Sequence, residues 1–183
     1  MNTFHKDLDW GTHFEKASIT HIQNHFTQIF KIKNYDCRFI KENDSIYIST
    51  LKNWDLMFGI YQGDKLIKQL TVEVKTDKYK SNNIFIEKRC NKIDSGVFST
   101  TADFFLYILP RHNTQNFFIV QPYQLRNILL TNYSHTGKYG GDRQASFGFL
   151  VDKDEFLDDY VLAGGIVHTI DFDIPSHFGL TKF

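Results

Sequence analysis

The first hydrophobic pattern along the chain repeats with the period of an α-helix. Within residues 10–32, one stripe of positions recurs every three or four residues: Phe14, Ser18, Ile22, Phe26 and Ile29. Such a stripe covers one face of a helix and packs it against the rest of the protein. Thr12 with Glu15 three residues later has the composition of an N-terminal capping box. The pattern predicts a first helix over 10–32, and capping is one of two roles we consider for Glu15.

Four short segments rich in β-branched and aromatic residues follow this helix. Bounded by polar turns, they predict strands at 35–40, 46–50, 54–61 and 66–75. Because the turns between them are short, we expect an antiparallel meander. Asp55 and Glu73 then lie on neighbouring strands, and the register of the pair decides whether their side chains meet.

The second half of the chain alternates between strands and helices. Strands are predicted at 104–109, 116–121, 146–151 and 166–172. Helices are predicted at 122–131, with Pro122 in the favoured first turn, and at 153–160. The glycine-rich stretch 133–144 lacks the Gly-Lys-Ser/Thr ending of a nucleotide P-loop, so it is either a mobile loop or a lid that contacts a ligand. This order of elements predicts an α/β fold.

The composition is that of a folded protein with one domain over residues 1–183. It is 42% hydrophobic and 16% aromatic, which is enough to build a core. We find no membrane-spanning run and no signal-peptide pattern. Cys37 and Cys90 have no metal-ligand spacing, so a reducing, cytoplasmic setting is expected. His21 and His25 have a zinc-compatible spacing, but without a third ligand nearby we interpret them as helix-surface residues.

Charge is balanced overall but unevenly distributed. The formal net charge is zero. Residues 63–92 contain eight Lys or Arg and four acids, whereas residues 152–173 contain seven acids and one lysine. The basic stretch suits a partner that carries phosphates, and a solvated surface with chance clustering is the alternative.

One predicted strand places an acid and a lysine on the same face. Glu73 and Lys75 are two residues apart, so they share a face, whereas Val72 and Val74 can be buried on the other. Upstream, Asp55 stands alone among large apolar residues, where an acid needs a partner or a metal ion. The spacing by itself is compatible with a metal site and with a cross-strand ion cluster.

An acid followed one strand later by Glu-x-Lys resembles the PD-(D/E)XK nuclease superfamily. The resemblance rests on Asp55, Glu73, Val74 and Lys75, and Trp54 stands where the family usually has proline. It implies a restriction-endonuclease-like fold, in which a central mixed β-sheet is flanked by helices. It also implies hydrolysis of DNA with Mg²⁺ as cofactor, which Mn²⁺ can replace.

The resemblance assigns roles to the site residues. Asp55, Glu73 and the Val74 carbonyl would bind the ion. Lys75 would orient or help deprotonate the attacking water, or stabilise the charged transition state. Glu15 would join the catalytic group from the first helix, where many members carry a further acid.

Cations around this strand would contact the phosphates of DNA. They are Lys78, Lys80, Lys88, Arg89, Lys138 and Arg143. Glu87 either supports the site or, as we favour, forms a surface ion pair with Lys88 or Arg89.

The leading interpretation is a small, structure-specific DNA endonuclease that cuts junctions. We expect it to be phage-encoded and to act as a homodimer. A type II restriction endonuclease is one alternative. The other is a non-catalytic nucleic-acid-binding or interaction protein on a nuclease-like scaffold, which would not cut DNA at all.

Overall fold

The computed structural model describes residues 3–30, 34–42, 54–77, 79, 81–109, 116–140 and 145–169. Its helices are α1 (Thr3–Phe30), α2 (Pro122–Asn132) and α3 (Lys153–Leu162). Its strands are β1 (Asp36–Glu42), β2 (Leu56–Gln62), β3 (Lys65–Thr76), β4 (Asn83–Cys90), β5 (Ile93–Asp94), β6 (Phe104–Leu109), β7 (Asn116–Val120), β8 (Gly137–Gly140), β9 (Ser146–Asp152) and β10 (Val167–Thr169). Short 3-10 turns cover Gly96–Phe98 and Ser134–Thr136.

Six strands form a mixed central sheet in the order β1-β2-β3-β6-β7-β10. β3 and β6 are parallel, and the other neighbouring pairs are antiparallel. The β2–β3 hairpin turns at Gly63, whose φ of +60° suits a residue without Cβ. The predicted α/β class, with a mixed sheet flanked by helices, is confirmed, as is the antiparallel meander of β1 to β3.

The two faces of the central sheet belong to different cores. α1 covers one face, where its buried Phe14 and Phe26 meet Leu106 and Ile108 of β6. The alternate residues of β6, such as Phe105, point to the other face and pack with α2, α3 and further strands. The period of two along β6 therefore supplies both cores from one strand.

Those further strands form a second sheet, in the order β5-β4-β9-β8 with antiparallel pairs. The sequence did not predict this sheet. Interpreting 133–144 as a loop is wrong at 137–140, because β8 pairs with β9 there. Residues 141–144 of the same stretch lie outside the described residues.

The start of α1 corrects a second expectation. The helix begins at Thr3 rather than near residue 10, so Thr12 lies inside it and cannot cap it. The predicted strand at 46–50 lies outside the described residues, and 166–172 is described as strand only at Val167–Thr169. Within the described residues, no helix is long and apolar enough to cross a membrane.

Candidate active site

The register of β2 on β3 places Asp55 beside Glu73. Leu56 pairs with Val72, and the backbone N–H of Asp55 donates to the Val72 carbonyl at 2.9 Å. Asp55 therefore continues the ladder by one residue, to the position opposite Glu73. The N–H of Val74 donates to Oδ2 of Asp55 at 2.6 Å, which fixes that carboxylate against β3.

Glu73 and Lys75 share a face of β3, as their spacing predicts. The Lys75 Nζ lies 2.9 Å from Glu73 Oε1, and the two side chains are 45% and 8% exposed. The second oxygen, Glu73 Oε2, is buried and has no hydrogen-bond partner within the described residues. Burying a carboxylate oxygen without a partner costs free energy. A cation or hydrogen-bond donor that binds this oxygen would therefore be stabilised here.

Glu15 reaches this group from α1. Burial and, after it, the negative charge of Asp55 together raise the pKa of Glu15 to about 7, against the opposing effect of Lys75. Both neighbours belong to the β2–β3 group, so helix and sheet bring three acids and one lysine into electrostatic contact. Capping is excluded for Glu15, and its catalytic role stays a prediction.

The lysine remains an ammonium in this setting. Burial acts to lower the pKa of Lys75, but Glu73, Asp55 and Glu15 outweigh it, so that this pKa is raised. The pKa of Asp55 is also raised, because burial and Glu73 outweigh Lys75 and the Val74 N–H. A site with more acids than cations favours binding of a further positive ion.

Asp55, Glu73 and Lys75, but not Glu15, line a cavity of about 460 Å³ between the two sheets. Asp55, Glu73 and Lys75 contribute from the central sheet, and Glu87 contributes from β4. The mixture of a few polar groups with apolar walls is typical of a ligand site. Tyr107 also lines the cavity, and its hydroxyl donates to the Phe85 carbonyl at 3.3 Å.

Glu87 differs from our expectation of a surface ion pair with Lys88 or Arg89. It is half-buried and accepts a hydrogen bond from Ser146 Oγ at 2.6 Å. Arg89 pairs instead with Asp94 at 3.2 Å. Glu87 thus lines the cavity as a third acid, with Asp55 and Glu73. No local signal in the sequence indicates this, because alternation along β4 puts Glu87 on the strand face opposite to buried Ile84 and Ile86.

The predicted phosphate-binding cations are dispersed. Arg89 and Lys138 are exposed on the second sheet. Lys88 is half-buried, with its Nζ 5.3 Å from the ring centre of Phe98, so an aromatic ring already contacts its charge. Lys78, Lys80 and Arg143 lie outside the described residues.

The donor chemistry of the site fits a hard divalent cation, since Mg²⁺ prefers carboxylate, carbonyl and water oxygens. No group of three or more His, Cys, Asp or Glu side chains within the described ranges is arranged to hold a metal ion. An ion here would therefore draw on Asp55 and Glu73, with backbone and water oxygens completing its shell. The Val74 carbonyl is the backbone donor that the sequence predicts.

Comparison of the chain with protein-family models, with curated proteins and with solved structures finds no significant match.

A separate histidine cluster joins α1 to β10. His25 is buried, and its Nδ1 lies 2.7 Å from Nε2 of His168, whose ring stacks on Phe117. Placing His25 on the helix surface is therefore wrong. Burial, followed by His168, lowers the pKa of His25 from 6.5 to about 4, while burial and then His21 lower that of His168.

This cluster predicts acid destabilisation that depends on His25. In the unfolded chain, His25 takes up a proton as the pH falls below 6.5. In the folded protein it takes up that proton only near pH 4. Stability should fall as pH decreases through that window, by up to about 1.4 kcal/mol per pH unit. Urea denaturation at pH 7, 6 and 5 should show a shallower decline in His25→Gln than in wild type. Because the pKa of Glu15 is raised on folding, Glu15 stabilises the protein as pH decreases, and it does so equally in wild type and in His25→Gln. Parallel curves of stability against pH for these two proteins would contradict the prediction.

Proposed function

We propose that this chain is a Mg²⁺-dependent DNA endonuclease with a restriction-endonuclease-like fold. The observation that carries the proposal is the buried Oε2 of Glu73, which has no hydrogen-bond partner in the part of the chain that the structure describes, in a side chain that lines a cavity with Asp55 and Lys75. A purely structural ion cluster would be expected to pair this oxygen internally. A divalent ion with bound water would satisfy it instead, in the place where the Glu-x-Lys pattern predicts one.

Each residue then has a distinct task. Asp55 and Glu73, with the Val74 carbonyl, would hold the ion, which supplies Lewis-acid stabilisation of the phosphate and an acidified water when bound. Lys75 is charged at neutral pH, so it stabilises developing negative charge and orients water by donating hydrogen bonds, rather than removing a proton. Glu15, with its pKa near 7, can exchange a proton with a water molecule near neutral pH.

The central sheet supports the fold assignment. It combines a helix, an antiparallel meander and a parallel return strand, and the β2–β3 pair brings Asp55, Glu73 and Lys75 together. The second sheet supplies the opposite wall of the cavity through Glu87. A homodimer, which would place two such sites for two cuts, is part of the proposal.

The test is an assay of purified protein on supercoiled plasmid, branched DNA and single-stranded DNA, with Mg²⁺ or with EDTA. Metal-dependent cleavage, with preference for branched DNA, is expected. Discrete fragments from plasmid alone would favour a type II restriction endonuclease. Binding without any cleavage in Mg²⁺ or Mn²⁺ would refute the enzyme and favour a non-catalytic nucleic-acid-binding protein.

The exposed cations of the second sheet provide a further prediction. Replacing Arg89 and Lys138 together by Gln should weaken DNA binding and reduce the slope of log affinity against log salt by about one to two, because each lost phosphate contact releases about one ion fewer. The matched control replaces Lys65 and Lys68, which are exposed at the distant end of β3, in the same way. Equal effects in the two double variants would contradict a specific role for the second sheet.

A further inference from the structure

A row of side chains crosses three strands at one end of the second sheet. Phe147 of β9 pairs with Arg89 of β4 on one side and with Tyr139 of β8 on the other. Directly paired residues point to the same face of a sheet, so the three side chains lie side by side. The Tyr139 and Phe147 rings have centroids 5.2 Å apart and meet edge to face. We call these three residues the aromatic row.

The aromatic row is open to solvent and has two cations, Lys92 and Arg89, of which Arg89 is ion-paired with exposed Asp94. Tyr139 is 70% exposed, which is unusual for a large ring in a sheet. Arg89, Phe147 and Tyr139 line a depression of about 370 Å³, together with Asn91, Ala145 and Lys92. Asn91 and Lys92 have φ of +50° and +69°, so the turn that borders the depression is held in a left-handed conformation.

The row adjoins the catalytic cavity without belonging to it. Glu87, which lines the cavity, is two residues before Arg89 in β4, a distance of about 7 Å along the strand. A β-bulge lies between them: Glu87 pairs with Gly148, and Arg89 pairs with the next residue, Phe147. Because consecutive residues of β9 face opposite ways, the bulge places Arg89 and the row on the face opposite to Glu87, which is the face that buried Phe149 shares farther along β9.

We infer that the aromatic row binds unpaired bases of single-stranded DNA that extends beyond the cleavage site. Exposed rings offer a stacking surface for bases, and neighbouring cations bind the phosphates between them. Duplex DNA keeps its bases stacked inside the helix, so a surface of this chemistry distinguishes unpaired from paired strands. The inference that the ligand is DNA rests on the proposed function. The substrate class is then DNA with a single-stranded arm, as in a branch or flap.

The test measures binding in EDTA, so that it does not depend on catalysis. Fluorescence anisotropy would compare a blunt duplex with the same duplex carrying a single-stranded tail. Wild type should prefer the tailed duplex. Tyr139→Ala should bind it about 5- to 150-fold more weakly, the range for loss of one stacked base, and bind the blunt duplex unchanged. Tyr139→Trp should retain the preference, and Tyr123→Ala, which removes an exposed tyrosine from α2, should resemble wild type.

A second readout reports stacking itself. With 2-aminopurine in the tail, wild type and Tyr139→Trp should quench its fluorescence and Tyr139→Ala should not. Wild-type affinity of Tyr139→Ala for the tailed duplex would overturn the inference and leave the nuclease proposal standing. Tyr139-dependent binding without cleavage in Mg²⁺ would refute only the nuclease. A shift of Tyr139→Ala from dimer to monomer with unchanged DNA affinity would assign the row to contact between copies, and would also overturn the inference.

Discussion

Asp55→Asn and Glu73→Gln are each expected to reduce Mg²⁺-dependent cleavage by about 100-fold or more, because each removes a charged ligand of the proposed ion. Folding should be preserved. The amide oxygen of Asn can still accept from the Val74 N–H, and burial already raises the pKa of Asp55. Removing either charge also relieves repulsion among the acids. The measurement is nicking of supercoiled plasmid, with thermal melting of each variant alongside.

The control for these variants is Asp64→Asn, since Asp64 is fully exposed in the β2–β3 turn. It changes charge by the same amount and should cleave as wild type does. Lys75→Ala should lose cleavage while retaining Mg²⁺ binding, because it removes the ammonium and leaves the carboxylates. Wild-type rates in Asp55→Asn or Glu73→Gln would end the assignment of catalysis to this site. Lost cleavage with a large fall in melting temperature would instead identify a structural ion cluster.

Lys153→Met is expected to destabilise the protein by about 3–5 kcal/mol, the usual cost of leaving one charge of a buried pair without its partner. Lys153 is 1% exposed, and its Nζ lies 2.6 Å from Asp77 Oδ2. The same ammonium donates to the carbonyls of Tyr79 at 3.1 Å and Ser81 at 2.7 Å. It thereby holds the chain that leaves β3 just after Lys75. Urea denaturation gives the free energy of unfolding.

Two variants separate the buried charge from general effects of the substitution. Arg89→Met breaks an ion pair with Asp94 in which both side chains are more than half exposed, so it should cost about 1 kcal/mol or less. Combining Lys153→Met with Asp77→Leu should recover part of the loss, because neither charge is then buried alone. A cost for Lys153→Met no larger than that for Arg89→Met would show that the buried pair contributes little.

Several features follow from the sequence because they depend on neighbouring residues. The stripe containing Phe14 and Phe26 has the helical period, and it packs on the sheet as that period requires. The approximate bounds of β2, β3, β6 and β7 follow from runs of β-branched and aromatic residues between polar turns. Glu73 and Lys75 share a face because strands have a period of two. These regularities are local, so the sequence alone is enough to predict them.

Local sequence patterns determine only part of the placement of the acids of the candidate site. The sequence put Asp55 and Glu73 on adjacent strands, but the register that makes them neighbours depends on how the whole hairpin packs. Glu15 could equally have capped a helix beginning near residue 10. The longer α1 excludes the cap, and its packing on the sheet brings Glu15 under the electrostatic influence of Asp55.

The remaining features were decided by contacts between distant parts of the chain. β4 pairs with β9 across about sixty residues, and no local pattern specifies that partner. Lysine and histidine are less often buried than apolar residues. Lys153 and His25 are nevertheless buried, because each pairs with a residue that is distant in the sequence, Asp77 and His168 respectively. A side chain's burial depends on what packs over it. Sequence periodicity determines which face of an element turns inward, and tertiary structure determines what that face meets.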